Sequence, residues 1–271
     1  MDEQTSLVDR IEAKRSQDSQ GCLSVHSWVS FAHRYLYVAV GKNACTRIKS
    51  TLVLLDGEAV PEHLGQVHNM GQRLSSLSTK QIAMILSSPD WFRFCFVRNP
   101  YYRLFSAYKS KILNYLDPQY QWVRDKIRSS CGYPLRDGRP AGMVTFRDYV
   151  DFVEARLDSV PDAHWARQTD ILAIDLVPYD FVGRFERFQQ DFEHVLRRLR
   201  APDNVLATRT EVMNPTTPMY HAAAYDHELA DHVYRMYEAD FTTFGYERDS
   251  WLFDHEWASE LALKNESRRY V

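Results

Sequence analysis

The sequence is poor in the residues that mark several classes of protein. Among 271 residues it has only four cysteines, Cys22, Cys45, Cys95 and Cys131, and no Cys-x-x-Cys pair. That spacing supports neither a zinc site nor a disulfide framework, and it makes a reducing, cytoplasmic setting the expectation. Glycine and proline are sparse, at 10 and 11, while hydrophobic residues reach 45%, which excludes a disordered or collagen-like chain. The longest apolar run, Tyr35 to Val40, is far short of the roughly 20 residues a spanning helix needs, so no membrane insertion is expected. The polar, mixed-charge segment from Met1 to Gln20 shows no secretory signal. An excess of one charge is missing too. With 33 Lys+Arg against 36 Asp+Glu, the net charge of −3 argues against a generally basic nucleic-acid binder.

What is present has the order of an α/β protein. Tyr35 to Val40 is a short continuous apolar run of the kind buried on both faces of a sheet. Ile48, Leu52 and Leu55 then recur at helical spacing, with Arg47, Lys49 and Ser50 on the other side. Ser78 to Gln81 has the form of a capping box ahead of Ile82, Ile85 and Leu86. Phe92 to Val97 is a second strand, and Asn99-Pro100 an N-cap with proline at the first helical position. The helix that follows should bury Tyr101, Leu104, Phe105, Tyr108 and Ile112. Strand, helix, helix, strand, helix predicts a central parallel sheet flanked by helices. Further helices are expected over Thr145–Leu157, Glu186–Leu199, Asp226–Tyr237 and Trp251–Lys264, with a strand at Tyr179–Val182. Residues 1–30 read as a polar N-terminal extension with a short helix over Leu7–Lys14, 31–271 as a single domain, and 117–142 as a loop-rich insertion.

Two segments carry the features of anion sites. Val40-Gly-Lys-Asn-Ala-Cys-Thr-Arg47 is a strand-to-helix turn with Lys42 at its tip and the Thr46 hydroxyl at the helix start, where backbone N–H groups attract phosphate. It lacks the second glycine of a nucleotide-triphosphate loop, and its plain alternative is an ordinary connection with a surface lysine. In Val97 to Lys109, Arg98 leaves a strand end just before a helix, and Ser106, Arg103 and Lys109 follow along it. Trp91 to Lys111 contains Arg93, Arg98, Arg103, Lys109 and Lys111 with no acidic residue. The same cations could equally pair with carboxylates of neighbouring helices.

Taken together, the lysine-bearing loop and the later Phe-Val-Arg-Asn-Pro-x-x-Arg-x-x-Ser-Ala-Tyr resemble the sulfotransferases that use 3′-phosphoadenosine 5′-phosphosulfate (PAPS), in particular the Golgi-type carbohydrate sulfotransferase family. His164-Trp165, Tyr179 to Glu186 and Asp240 to Tyr246 match that family's order, so the resemblance covers roughly residues 34–247. It implies a P-loop-like fold. It also implies a 5′-phosphosulfate site at Lys42, Asn43, Ala44, Cys45, Thr46 and Arg47, and a 3′-phosphate site at Arg98 and Ser106. The Gly-Lys-Asn opening departs from the family's usual Pro-Lys. A signal anchor like that of the Golgi members is not seen, which makes a soluble, bacterial relative the expectation.

The implied reaction is in-line transfer of a sulfuryl group from PAPS to a hydroxyl of a carbohydrate or carbohydrate-containing metabolite, with Lys42 stabilising charge on the bridging oxygen and no metal required. A hydroxyl acceptor benefits from a general base. Two histidines compete for that role: His68, expected at the end of a short strand near the Lys42 loop, and His164, which could instead pack beside a core tryptophan or bind acceptor. His63 and Glu62 are lesser stand-ins. Arg124, Lys126, Arg128, Arg136 and Arg139 could attract an anionic acceptor or form a solvated surface, and Tyr220 in the loop Asn214–Tyr225 could close over the nucleotide. A nucleotide-dependent kinase and a non-catalytic glycan- or nucleotide-binding module on the same fold remain the alternatives. The oligomeric state is not encoded in any of these features.

Overall fold

The computed structural model describes residues 6–17, 23, 26–114, 118–136, 139–159, 162–207 and 223–252. The chain groups into two compact units, Met1–Arg98 with Ala166–Asn214, and Asn99–Trp165 with Pro215–Val271.

The first unit is built on a four-stranded sheet. Its strands are β1 (Ser27–Ser30), β2 (Tyr35–Val38), β3 (Phe92–Val97) and β6 (Phe181–Arg184), in the spatial order β1-β2-β3-β6. β2, β3 and β6 run parallel, with Tyr37 opposite Phe94 and Val97 opposite Arg184. β1 pairs antiparallel with β2, from Ser27 opposite Val38 to Ser30 opposite Tyr35. This edge strand lies inside the segment read from sequence as a polar extension; the four residues are too short a run to show alternation, yet all are buried. Every residue of β2 and β3 is buried, the physical reason β2 is a continuous apolar run and β3 is apolar apart from Arg93. Phe94 stacks on Tyr37 and Phe92 with ring centroids 5.1 and 5.3 Å apart.

Around the sheet lie α1 (Leu7–Gln17), α2 (Cys45–Leu55), α3 (Thr79–Ser87), α7 (Gln168–Leu172), α8 (Phe188–Arg198) and α9 (Asp203–Ala207). α1 is longer than expected and is held by the wholly buried Ile11 and by Arg15, which donates to the Leu77 carbonyl at 3.2 Å. The capping box at Ser78 and Gln81 forms as the sequence predicts. Among the described residues no helix is long and apolar enough to cross a membrane.

The second unit is helical. α4 (Pro100–Ala107) starts at the Asn99 cap, whose side chain accepts from Tyr101 N–H, and widens into a π turn over Tyr108–Ile112. The five side chains expected inside, Tyr101, Leu104, Phe105, Tyr108 and Ile112, are all buried. α5 (Gln121–Ser130), the two-residue strands β4 (Leu135–Arg136) and β5 (Arg139–Pro140), α6 (Phe146–Glu154), α10 (His227–Met236) and α11 (Glu238–Phe244) complete it. α5 corrects the reading of 117–142 as loop-rich. Val123 and Ile127 form its buried stripe, and Arg124 and Arg128 are buried beside them rather than solvated. The Arg124 guanidinium donates to the Lys111 and Asn114 carbonyls at 3.0 and 3.2 Å, and Arg128 to the Gly142 carbonyl at 2.8 Å. Charge at those positions therefore hid a helix. Of the expected terminal helix, Trp251 sits in a short turn, Ser250–Leu252, and 253–264 lie outside the described residues, as do 214–222 with Tyr220.

Gly183 on β6 illustrates how closely the sheet is covered. A Cβ there would lie 2.5 Å from the Phe96 ring. Gly183→Ala is expected to destabilise the fold by about 1–3 kcal/mol, seen as a lower urea midpoint at unchanged slope.

Candidate active site

The turn between β2 and α2 is the focus of the first unit. Lys42 and Ala44 both have left-handed backbones, with φ of 73° and 60°, on either side of Asn43. Such conformations cost a non-glycine residue roughly 1 kcal/mol or more each and persist only where surroundings enforce them. The Asn43 N–H turns back to the Val40 carbonyl at 3.3 Å, and the first bond into the helix is Ile48 N–H to the Ala44 carbonyl at 3.0 Å. The N–H groups of Cys45 and Thr46 lie ahead of that first bond, at the positive end of α2. Ala44, Cys45 and Thr46 are half-buried, as is Lys42. Asn43 differs from its neighbours. It is wholly buried, and its Nδ2 donates to the Phe96 carbonyl and to Gln168 Oε1, both at 2.8 Å. Arg47 is also buried. What Asn43 contributes is therefore support of the loop from beneath.

Arg98 follows the last residue of β3 and is 4% exposed. Its Nη1 donates to the Lys42 carbonyl at 3.1 Å, and its guanidinium stacks 4.1 Å from the Phe185 ring centroid. Its backbone is held by Gln168, whose Oε1 accepts from Arg98 N–H at 2.9 Å and whose Nε2 donates to the Arg98 carbonyl at 2.8 Å. Arg98 and the Lys42 turn are thus one connected structure. Phe185 and Gly183 give physical content to the segment Tyr179 to Glu186 singled out in the sequence.

His68 is not at a strand end. It lies on a 3₁₀ turn, Leu64–Asn69, because the chain crosses beside α2 without joining the sheet. His68 Nε2 is 3.0 Å from Thr46 Oγ1, so imidazole and loop hydroxyl share a hydrogen bond, and Arg73 donates to the His68 carbonyl at 2.6 Å. His63 and Glu62 on the same stretch are exposed. One turn after Thr46, Lys49 is 3% exposed with its ammonium 5.3 Å from the Trp28 ring centroid, against the expectation that it lies on the polar side. Burial pushes its pKa from 10.5 to about 8; Cys45 opposes this, and the like charge of Arg73 adds to it.

Other expected residues belong to the second unit. Ser106 is buried on α4. Arg103, 2% exposed, donates to the Ala163 carbonyl at 2.9 Å, and burial lowers its pKa. His164 Nδ1 lies 2.6 Å from Asp162 Oδ1 and 3.0 Å from Tyr120 Oη. Burial would raise the Asp162 pKa, but the His164 hydrogen bond and charge hold it below the usual carboxylate range. The neighbouring Trp165, not His164, fills the core, edge-on to Tyr149. Arg93, in the first unit, takes the structural role foreseen for such cations: it meets Asp180 in a two-pronged pair at 2.8 and 2.9 Å. Gln168, Lys49 and Phe185 are the residues that sequence reasoning missed. Helical spacing from Thr46 was the one signal available for Lys49; a neutral glutamine carried none.

A strand-turn-helix with a lysine at its tip, tied to an arginine at the next strand's end and with a histidine on its threonine, is an α/β arrangement whose residue types suit an anion. Comparison with known proteins makes the assignment specific: the Sulfotransferase family model matches residues 25–247, and the chain belongs to that family. It is 31% identical over 230 residues to carbohydrate sulfotransferase 14 of Homo sapiens, covering 82% of this chain and 60% of that protein. It is 28% identical over 231 residues to carbohydrate sulfotransferase 14 of Danio rerio, covering 82% and 62%. With carbohydrate sulfotransferase 10 of Xenopus laevis the identity is 26% over 248 residues, covering 83% and 68%. The chain thus spans about 60% of the length of the first of these relatives. No solved structure gives a significant match.

The buried Lys49 leads to a pH prediction. Below pH 8 the folded protein carries a charge that burial disfavours, whereas the unfolded chain keeps its proton up to about pH 10.5, so wild-type stability should rise between those values. Full relief is worth roughly 3 kcal/mol. Lys49→Met is expected to stabilise the protein at pH 7, with the gain over wild type shrinking as pH approaches 10; urea melts across that range check it.

Proposed function

We propose that the protein transfers the sulfuryl group of PAPS to a hydroxyl of a carbohydrate or carbohydrate-containing metabolite. The observation that carries this is the Lys42 turn held rigidly by Arg98, in a chain of the sulfotransferase family. The names of the relatives, all carbohydrate sulfotransferases, support a sugar acceptor. They also weigh against the kinase alternative. In this reading the 5′-phosphosulfate lies at the start of α2, against the N–H groups of Cys45 and Thr46, with Lys42 neutralising the charge that develops on the bridging oxygen. Arg98 supplies charge-assisted bonds to the 3′-phosphate in surroundings of low dielectric. For Ser106 in that role, the family pattern is the support.

His68 is our general base. With its proton on Nδ1, Nε2 accepts from Thr46, so the basic lone pair faces the start of the helix that holds the donor. An acceptor hydroxyl bound there would take the place of Thr46, give its proton to Nε2 and attack sulfur as the 5′-phosphate oxygen departs. The Asp162–His164–Tyr120 group fits an acceptor-orienting role, with His164 Nδ1 2.6 Å from Asp162 Oδ1 and 3.0 Å from Tyr120 Oη. The reading assigns no step to a metal. The widely spaced thiols Cys45, Cys95 and Cys131, all free, support a reducing compartment.

Calorimetry with adenosine 3′,5′-bisphosphate tests the donor site. Wild type should bind, and Lys42→Ala and Arg98→Ala should each weaken binding by roughly 10- to 100-fold, as loss of a charged hydrogen bond implies. Undetectable binding by folded wild type would overturn the reading. In assays of sulfate transfer to a glycan panel, His68→Ala should lower kcat by about 10²- to 10⁴-fold at unchanged bisphosphate affinity, and His164→Ala should act mainly on the KM for acceptor. Binding without transfer to any acceptor would favour a non-catalytic module.

A further inference from the structure

We infer that Gln168 is a positioning residue that couples the two anion-binding segments, setting Arg98 and the Lys42 turn in one geometry. The inference rests on the proposed roles of Lys42 and Arg98.

β3 pairs with β6 as far as Val97, opposite Arg184. Arg98 is the next residue, and among the described residues no strand pairs with it. Both of its backbone groups are nevertheless taken, and by one side chain: Gln168 accepts from Arg98 N–H at 2.9 Å and donates to the Arg98 carbonyl at 2.8 Å. A primary amide has a peptide's donor and acceptor, so Gln168 extends the ladder by one residue where the main chain has left it. Its Oε1 has a second lone pair, which accepts Asn43 Nδ2 at 2.8 Å. Asn43 in turn donates to the Phe96 carbonyl at 2.8 Å. Gln168 and Asn43 are both wholly buried. Two amides therefore join the left-handed turn of residues 42–44 to residues 96–98 by direct hydrogen bonds, and the Arg98 guanidinium closes the ring at the Lys42 carbonyl.

No other side-chain type does this. Leucine or methionine would leave the Arg98 N–H and carbonyl and Asn43 Nδ2 buried without this partner. Glutamate would keep both acceptor bonds but face the Arg98 carbonyl with an oxygen. Asparagine has the right groups on a shorter stem. A chain that only needed to fill this volume would tolerate an apolar residue, so the amide at Gln168 points to geometry as the quantity being preserved.

The test is a double-mutant cycle combined with hydrogen exchange on the full chain. Gln168→Met should raise the Kd for adenosine 3′,5′-bisphosphate by about tenfold, and in an Arg98→Ala background by less than threefold, because much of its effect passes through Arg98. A full tenfold loss in both backgrounds, or no loss in wild type, would overturn the coupling. Amide exchange should quicken together in residues 42–47 and 96–99, with α6 unchanged; quickening in one segment alone, or in neither, would also overturn it. Gln168→Asn, whose shorter stem draws the amide back from Arg98 and Asn43 without adding charge, replaces Gln168→Met in every arm if the latter does not fold. If wild type fails to bind the bisphosphate, the donor reading falls, while the exchange measurement still decides the coupling.

Discussion

Arg98 lies one residue beyond the end of the parallel ladder, and the Gln168 side chain holds both of its backbone groups. The rest of the first unit's site depends on that arrangement. A strand that stops pairing at the edge of a buried core must satisfy its next N–H and carbonyl or leave the core for water. Because a buried amide does so here, Arg98 stays 4% exposed with its guanidinium over Phe185 and against Lys42. The same amide reaches Asn43, which keeps a turn with two left-handed non-glycine residues in place. Strain in the turn and order at the strand end are thus two sides of one hydrogen-bonded unit.

The cations show how little net charge says about their use. Arg93 is neutralised by Asp180, while Arg124 lies against the Lys111 and Asn114 carbonyls and Arg128 against the Gly142 carbonyl. Arginine suits these places because its planar, weakly hydrated fork gives up water at lower cost than an ammonium does. Lys49 is the contrast. It is buried over Trp28 with a depressed pKa and has no acidic partner among the described residues, which is costly in a protein interior. Lysine at that point of α2 places positive charge one turn from Thr46 and His68, where the proposed chemistry gathers negative charge.

Much of the fold was legible because it followed local rules. The apolar run at Tyr35, the aromatic-rich strand at Phe92, the Asn99-Pro100 start and the capping box at Ser78 each reflect chemistry within a few residues. Legibility failed where charge was buried or a partner was distant. β1 was missed since four buried residues have no pattern of their own, and α5 since Arg124 and Arg128 gave its inner face the look of a surface. At the candidate site, Lys42, Thr46 and Arg98 were visible as residue types suited to anions. Asn43 was visible too, but its inward orientation was not.

The amino-acid sequence by itself determined the α/β class, the two anion-seeking segments and the likeness to sulfotransferases, since spacing, capping and residue type are local quantities. Only the tertiary structure decided which cations are structural, that His68 meets Thr46, and that a neutral glutamine 70 residues after Arg98 holds its backbone. A hydrogen bond between distant residues leaves no periodic trace in the chain; it exists only once packing has removed water and left one donor facing one acceptor.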